Sequence, residues 1–407
     1  MFKVLANYCL FDVTILNYLR LKRIIPLLLF GLFAASFSSD SKISADELKM
    51  NEVQIIATHN SYHLHTDKAI FRFLKNLYGM HLLPDGLNPA ELDYTKDPLS
   101  VQLGKYNVRG LELDVWSDPE GGRFYHRKGK AIVWKRTASG IEALKKPGFK
   151  IMHIPDFDFN TTNFTFVDAL QEIKKWSEAN PQHLPLFINV ESETETAGDH
   201  KQAPKGLTHA APFDSAALDA LDNEVKSVFG QNLDNVITPD KVRGNYATLE
   251  QAVLAGNWPT IGAARGKVVF IIDQHKNVGE LYKTGHPSFK GRAMFVYERG
   301  PGTPEAAFLI YNNPTRQNEI MDAVKKGYIV RTRADAGTDE ARNGSYTDMD
   351  AAFASGAQII STDYYKPDER AGKKGWSDYH VIFPQQGMAR VDTVAQHKLA
   401  QSLPVKE

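Results

Sequence analysis

Val108-Arg-Gly-Leu-Glu-Leu-Asp-Val115 is the stretch on which the fold turns. It reads as a strand, apolar along most of its length as strands buried on both faces are. Glu112 and Asp114 share one face of it, because side chains alternate along a strand. Seven more runs of this kind accompany it: Val53–Thr58, Phe149–Ile154, Leu184–Glu191, Lys267–Asp273, Ala293–Tyr297, Tyr328–Arg333 and Ala357–Thr362. Helical stretches lie between them. Phe164–Ala179 sets Phe164, Val167, Leu170, Ile173 and Trp176 on one face, and Asn180-Pro181 ends it. Ser215–Phe229, Thr248–Leu254, Arg316–Lys326 and Thr347–Ser355 read alike. Strands alternating with helices pair in parallel through right-handed crossovers, and eight such units predict a closed (β/α)8 barrel. An open doubly wound sheet has the same periodicity and stands as the alternative. Asp67–Gln102 and Ser192–Pro212 read as long loops on the barrel's catalytic face.

The chain has 407 residues, 43% hydrophobic and 24% charged, which fits one barrel with long loops. Lys plus Arg and Asp plus Glu number 48 each, so the formal net charge is zero. With no basic block, nothing supports nucleic-acid binding, which rests on neutralising phosphates. The balance also argues against capture by an anionic membrane through charge alone; lipid contact would need local apolar loops. Cys9 is the only cysteine, which excludes an internal disulfide, a thiolate zinc site and a cysteine nucleophile from the body of the protein.

At the N-terminus, Arg20, Lys22 and Arg23 precede an apolar run from Ile24 to Phe37, followed by Ser38, Ser39, Asp40 and Ser41. A basic flank, a short apolar run and small residues make a secretory signal; a spanning helix needs roughly 20 apolar residues. An uncleaved N-terminal anchor is the competing reading. The expected organisation is an extension and signal at 1–45 and one catalytic domain at 46–407, exported and monomeric.

Polar residues gather at the ends of the strands. The first ends in Thr58-His59-Asn60-Ser61-Tyr62, the second carries Glu112 and Asp114, and the third ends near His153, Asp156 and Asp158. Glu191 and Asp273 end the fourth and fifth, Arg331 and Arg333 the seventh, and Asp363 follows the eighth. Strand C-termini are where a barrel collects catalytic groups. Asn60, Glu112, Asp114 and Glu191 form an oxygen-rich set of the kind hard cations such as calcium take. A cation there would polarise a phosphoryl oxygen, two histidines could exchange protons, and Arg331 or Arg333 could hold a phosphate.

Ala57-Thr-His-Asn-Ser-Tyr62 followed by Arg109-Gly-Leu-Glu-Leu-Asp114 resembles the opening of the phosphatidylinositol phospholipase C catalytic barrel. Phe149-Lys-Ile-Met-His-Ile-Pro-Asp-Phe-Asp158, with Arg331-Thr-Arg-Ala-Asp335 and Ser361-Thr-Asp-Tyr364, is similar to its bacterial calcium-dependent branch. The resemblance covers roughly residues 50–366. It implies catalytic histidines at His59 and His153, and Ca2+ ligands at Asn60, Glu112, Asp114 and Glu191. The substrate it implies is a phosphoinositide lipid or inositol phosphodiester, met at a membrane surface, with Asp273, Arg331 and Arg333 as candidate contacts. Barrel-rim ion pairs are the other reading of those three. His126, in Gly-Gly-Arg-Phe-Tyr-His, competes with His153 for the second catalytic place, and Glu193 competes with Glu191. One departure is Ser192-Glu193, where the resemblance leads one to expect a small residue and then a lysine. His63 and His65 read as exposed loop histidines, and Ser61 lacks the Gly-x-Ser-x-Gly elbow of a nucleophile. A glycerophosphodiester phosphodiesterase using His126, and an inactive lipid- or carbohydrate-binding barrel, are the rival functions.

Overall fold

The structure, a computed structural model, describes residues 44–83, 87–201, 203–384, 387, 389–396 and 403–407. The expected signal segment lies outside the described residues. In the compact unit Ile43–Glu407, the strands are β1 (Val53–Thr58), β2 (Gly110–Trp116), β3 (Lys150–Ile151), β4 (Leu186–Glu193), β5 (Val268–Asp273) and β6 (Phe295–Glu298). β7 (Phe308–Ile310), β8 (Ile329–Arg333), β9 (Ile359–Thr362), β10 (Ala389–Val391) and β11 (Pro404–Val405) follow. Eight of them pair in parallel in the order β1-β2-β4-β5-β6-β7-β8-β9, and β9 returns to β1. The sheet is therefore a closed barrel, as expected, and the open-sheet alternative falls.

A glycine stands at the seam between β1 and β2. Ala57 of β1 meets Gly110 of β2, and a Cβ on Gly110 would stand 2.5 Å from the Ala57 Cβ. Beyond that seam, β2 shows how sequence becomes site. Leu111, Leu113 and Val115 share a buried cluster with Leu170 and Ile173 of the helix Phe166–Ala179. The alternate residues, Glu112 and Asp114, then face the lumen. Asp114, Glu191 and Asp273 are register partners across β2, β4 and β5, so three carboxylates stand in one row at the strand ends.

Three expectations need correction. Phe149–Ile154 is not a barrel stave: only Lys150–Ile151 is strand, and it runs antiparallel against Val115 and Trp116 outside the barrel. Phe149 and Ile151 are buried all the same, in one cluster with Val115 of β2 and with Phe213, on which Phe149 packs at 5.6 Å. The missing stave is β7, whose three residues are too few to show a period. Third, Asp67–Gln102 is not plain loop but contains the helices Lys68–Gly79 and Leu99–Lys105. Asp67 starts the first by accepting from the amides of Ala69 and Ile70 at 2.9 and 3.4 Å. The helices Ser215–Phe229, Leu249–Leu254, Gln317–Lys325 and Thr347–Ser355 lie where periodicity put them. Among the described residues, no helix is long and apolar enough to cross a membrane.

Candidate active site

β1 leaves the barrel through His59 and Asn60, the latter with a left-handed backbone at φ 42°, which asparagine tolerates better than most residues. Asn60 donates from Nδ2 to the Tyr94 hydroxyl at 3.0 Å, leaving Oδ1 buried with no hydrogen bond. Glu112 Oε2 accepts from Arg331 and, at 2.9 Å, from Asn189; Oε1 is buried with no hydrogen bond. The Tyr62 hydroxyl donates to Asp114 Oδ2 at 2.5 Å, and Oδ1 is left in the same condition. Each side chain is thus held by one polar atom and presents another. Glu112, Asp114 and Glu191 each offer an oxygen within 4.8 Å of the others. Burial, then the charges of Glu191, Glu193 and Glu112, push the Asp114 pKa well up, as happens where carboxylates crowd without a counter-charge. Buried polar oxygens left without partners are costly. A hard divalent cation relieves that cost, and an all-oxygen set of this kind fits calcium.

His59 closes one side of this cluster. Its Nδ1 lies 2.8 Å from Asp363 Oδ1, and its Nε2 lies 3.5 Å from Glu112 Oε1. Arg333 spans the pair, 3.0 Å from Asp363 Oδ2 and 3.3 Å from His59 Nδ1. Lys96 braces Asp363 from below, with Nζ 2.6 Å from its carbonyl oxygen. Burial would raise the Asp363 pKa, but His59, Lys96 and Arg333 hold it far below the usual carboxylate range. A carboxylate that only accepts fixes the His59 proton on Nδ1 and turns the free Nε2 toward Glu112. Burial and then Arg333 lower the His59 pKa, against the charges of Asp363 and Glu112.

His153 stands on the other side with its own carboxylate. Asp158 Oδ2 lies 2.8 Å from His153 Nδ1 and 2.7 Å from His63 Nε2, while the Thr66 hydroxyl donates to Oδ1 at 2.7 Å. Burial would lower the His153 pKa; the hydrogen bond and charge of Asp158, with Glu193 and Glu191 behind them, raise it. His63 corrects the sequence reading. It is 0% exposed and stacks on Tyr94 at 4.3 Å, because its amide bonds back to the Asn60 carbonyl at 3.0 Å and turns the chain inward. His65 is half-exposed, 3.8 Å from Glu369.

The remaining candidates divide by their surroundings. Arg331 is 3% exposed and bonds Glu112, Asn312 at 2.8 Å and Ser361 at 3.3 Å. Asp273 lies 4.0 Å from Arg331 and 3.6 Å from Arg299, and burial and Glu191 push its pKa up to about 6. Glu193 faces the same way as Glu191, and burial and Glu191 push it up to about 7. His275, which sequence reasoning missed, lies with Nε2 2.8 Å from Glu191 Oε1, and that bond raises its pKa to about 9. With Glu191 and Glu193 it forms a second group of potential ligands. His126 is exposed, 3.1 Å from the Thr137 hydroxyl, and belongs to none of these groups.

The sequence profile of the family described as phosphoinositide phospholipase C, Ca2+-dependent, matches residues 48–393. Among solved structures, a calcium-dependent phosphoinositol-specific phospholipase C from Pseudomonas sp is 16% identical, with 82% of this chain and 96% of that one covered and a TM-score of 0.44. A Ca2+-dependent phosphatidylinositol-specific phospholipase C from Streptomyces antibioticus is 15% identical over 78% of this chain and 95% of that one, with a TM-score of 0.48. The phosphatidylinositol-specific phospholipase C from Listeria monocytogenes is 12% identical over 78% and 89%, with a TM-score of 0.40. No curated protein matches the chain.

Proposed function

The chain belongs to the Ca2+-dependent phosphoinositide phospholipase C family of phosphodiesterases, and on that footing we propose that it cleaves phosphatidylinositol or a related inositol phosphodiester. The observation that carries this reading is a set of oxygens from Glu112, Asp114 and Glu191 flanked by two histidines, each bonded to its own carboxylate. Asn60, Glu112, Asp114 and Glu191 would hold calcium, which would stabilise negative charge on the phosphoryl oxygens and acidify the attacking hydroxyl. The inositol 2-hydroxyl attacks phosphorus. His59, neutral with Nε2 free, takes the hydroxyl proton, and His153, whose pKa Asp158 raises, gives one to the diacylglycerol oxygen as its bond to phosphorus breaks. The first products are a cyclic inositol phosphate and diacylglycerol; water then opens the cyclic ester with the proton roles reversed. Arg333, beside His59, faces the phosphate, and Asp273 accepts from inositol hydroxyls. Arg331 acts through Glu112, fixing which oxygen that carboxylate presents. The substrate is a membrane lipid, and the apolar run Ile24–Phe37 behind Arg20, Lys22 and Arg23 supports export.

The test is turnover of phosphatidylinositol with calcium, with a chelator and with magnesium in its place, products followed by phosphorus NMR. Calcium-specific release of cyclic inositol phosphate is expected. Turnover that survives chelation, or His59→Ala at wild-type rate, refutes the reading.

A further inference from the structure

Two imidazoles share a single carboxylate oxygen beside the active site. Asp158 Oδ2 lies 2.7 Å from His63 Nε2 and 2.8 Å from His153 Nδ1, yet the proposed reaction uses only the second ring. The chain on both sides of His63 is fixed to the loop that carries the other two residues. The Tyr62 carbonyl accepts from the Thr162 amide at 2.9 Å, and the Leu64 amide donates to the Asn160 carbonyl at 3.2 Å. His63 itself stands opposite Thr161. Its ring is stacked on Tyr94 at 4.3 Å and edge-on to His153 at 5.9 Å.

The two rings differ in what surrounds their other nitrogen. The side chains of His63 and Asp158 are 0% exposed, and that of His153 is 25% exposed. His63 Nδ1 is buried with no hydrogen-bond partner, so its one ring proton sits on Nε2, against the carboxylate. A second proton would be sealed in with nothing to accept it. His153 can exchange a proton through the nitrogen that Asp158 leaves free. The carboxylate on the other side of the site is braced differently. Lys96 lies 3.5 Å and Arg333 3.0 Å from Asp363, so two cations offset its charge beside His59. Asp158 is held by the Thr66 hydroxyl at 2.7 Å and by imidazoles; among the described residues, no lysine or arginine pairs with it.

We propose that His63 is a positioning residue for proton transfer: it fixes the Asp158 carboxylate through a neutral hydrogen bond and so leaves that carboxylate's charge to keep a proton on His153. A lysine or arginine in its place would cancel the charge. An apolar ring would leave a buried lone pair unmet and the carboxylate less firmly aimed. The inference rests on the reading of His153 as the proton donor in phosphodiester cleavage.

Nitrogen NMR of the full chain with calcium and isotope-labelled histidine follows the protons without substrate. Across the neutral range, His63 should keep its proton on Nε2 alone while His153 gains and loses one. His63→Phe keeps a ring against Tyr94 and removes the donor. His153 should then hold its proton to higher pH, since Asp158 no longer divides its oxygen between two donors; Glu191 and Glu193, the other charges acting on His153, are unchanged. On phosphatidylinositol, kcat should fall about tenfold or more with KM nearly constant, and the alkaline limb of kcat/KM should move to higher pH. Damage to packing alone would lower the rate without moving the limb. His63→Gln, which offers an amide N–H near the same point, should recover most of the turnover. An unmoved limb and an unmoved His153 titration in His63→Phe overturn the proposal. So does a proton on His63 Nδ1 in the wild type, a result that needs no variant to fold. If the NMR behaves as expected but no phosphodiester is cleaved, the placement of the proton stands and the phospholipase reading falls.

Discussion

At His59 and His153 the same device appears twice, an imidazole whose Nδ1 faces a buried carboxylate so that its Nε2 is aimed. Asp363→Asn should lower turnover about a hundredfold or more, since an amide can bond Nδ1 in the wrong tautomer. Calcium binding followed by calorimetry should be nearly unchanged, which separates this loss from damage to the ion site. Asp158→Asn has a different signature. Asp158 raises the His153 pKa, so removing its charge lets His153 lose its proton at lower pH. The alkaline limb of the kcat/KM profile should move to lower pH, read from rates across the neutral range. His126→Ala should leave both rate and profile as they are.

Among the elements, β2 is the one most open to a structural test. Gly110→Ala would force its Cβ into Ala57, an overpacking that typically costs about 1–3 kcal/mol. The denaturant midpoint should fall, and Ala57→Gly in the same chain should recover much of the loss. This strand was also the most legible in sequence, because its alternation of Leu111, Leu113 and Val115 with Glu112 and Asp114 states both core and site. β7 was not legible, since Phe308–Ile310 is three residues long and has no period. Phe149–Ile154 misled for the opposite reason: a buried apolar run reads alike whether it is a barrel stave or a short strand laid antiparallel against one. The oxygen cluster could be anticipated from residue types at strand ends. The partnership of His59 with Asp363 could not, as no spacing links positions 304 residues apart. His63 was misplaced because a polar ring beside a turn reads as surface until Asp158 is seen behind it.

For the molecule as a whole, the barrel mouth holds more negative charge than its cations balance. Asp114, Asp273 and Glu193 all have raised pKa values, the latter two to about 6 and about 7, through burial and mutual repulsion. An acid whose pKa is raised on folding contributes stability below the unfolded value, near 4, and loses it as pH rises through the folded one. In chelator, the unfolding midpoint should therefore fall between about pH 4 and pH 7. Calcium should flatten that slope but not abolish it, because Glu224, Asp335 and Asp392 are also raised to about 7, by burial first. Calcium about a hundredfold above its Kd should stabilise the wild type by about 2.7 kcal/mol. Asp114→Asn should lose that gain yet unfold later than the wild type in chelator, as scanning calorimetry would show. Tyr94 links this electrostatics to the histidines His63 and His153. Its hydroxyl takes the Asn60 amide, its ring lies flat on His63, and His63 shares Asp158 with His153. One phenol thus sets the gap between the oxygen cluster at Asn60 and the His153 imidazole, a spacer whose length a drift in evolution could not change without detuning both.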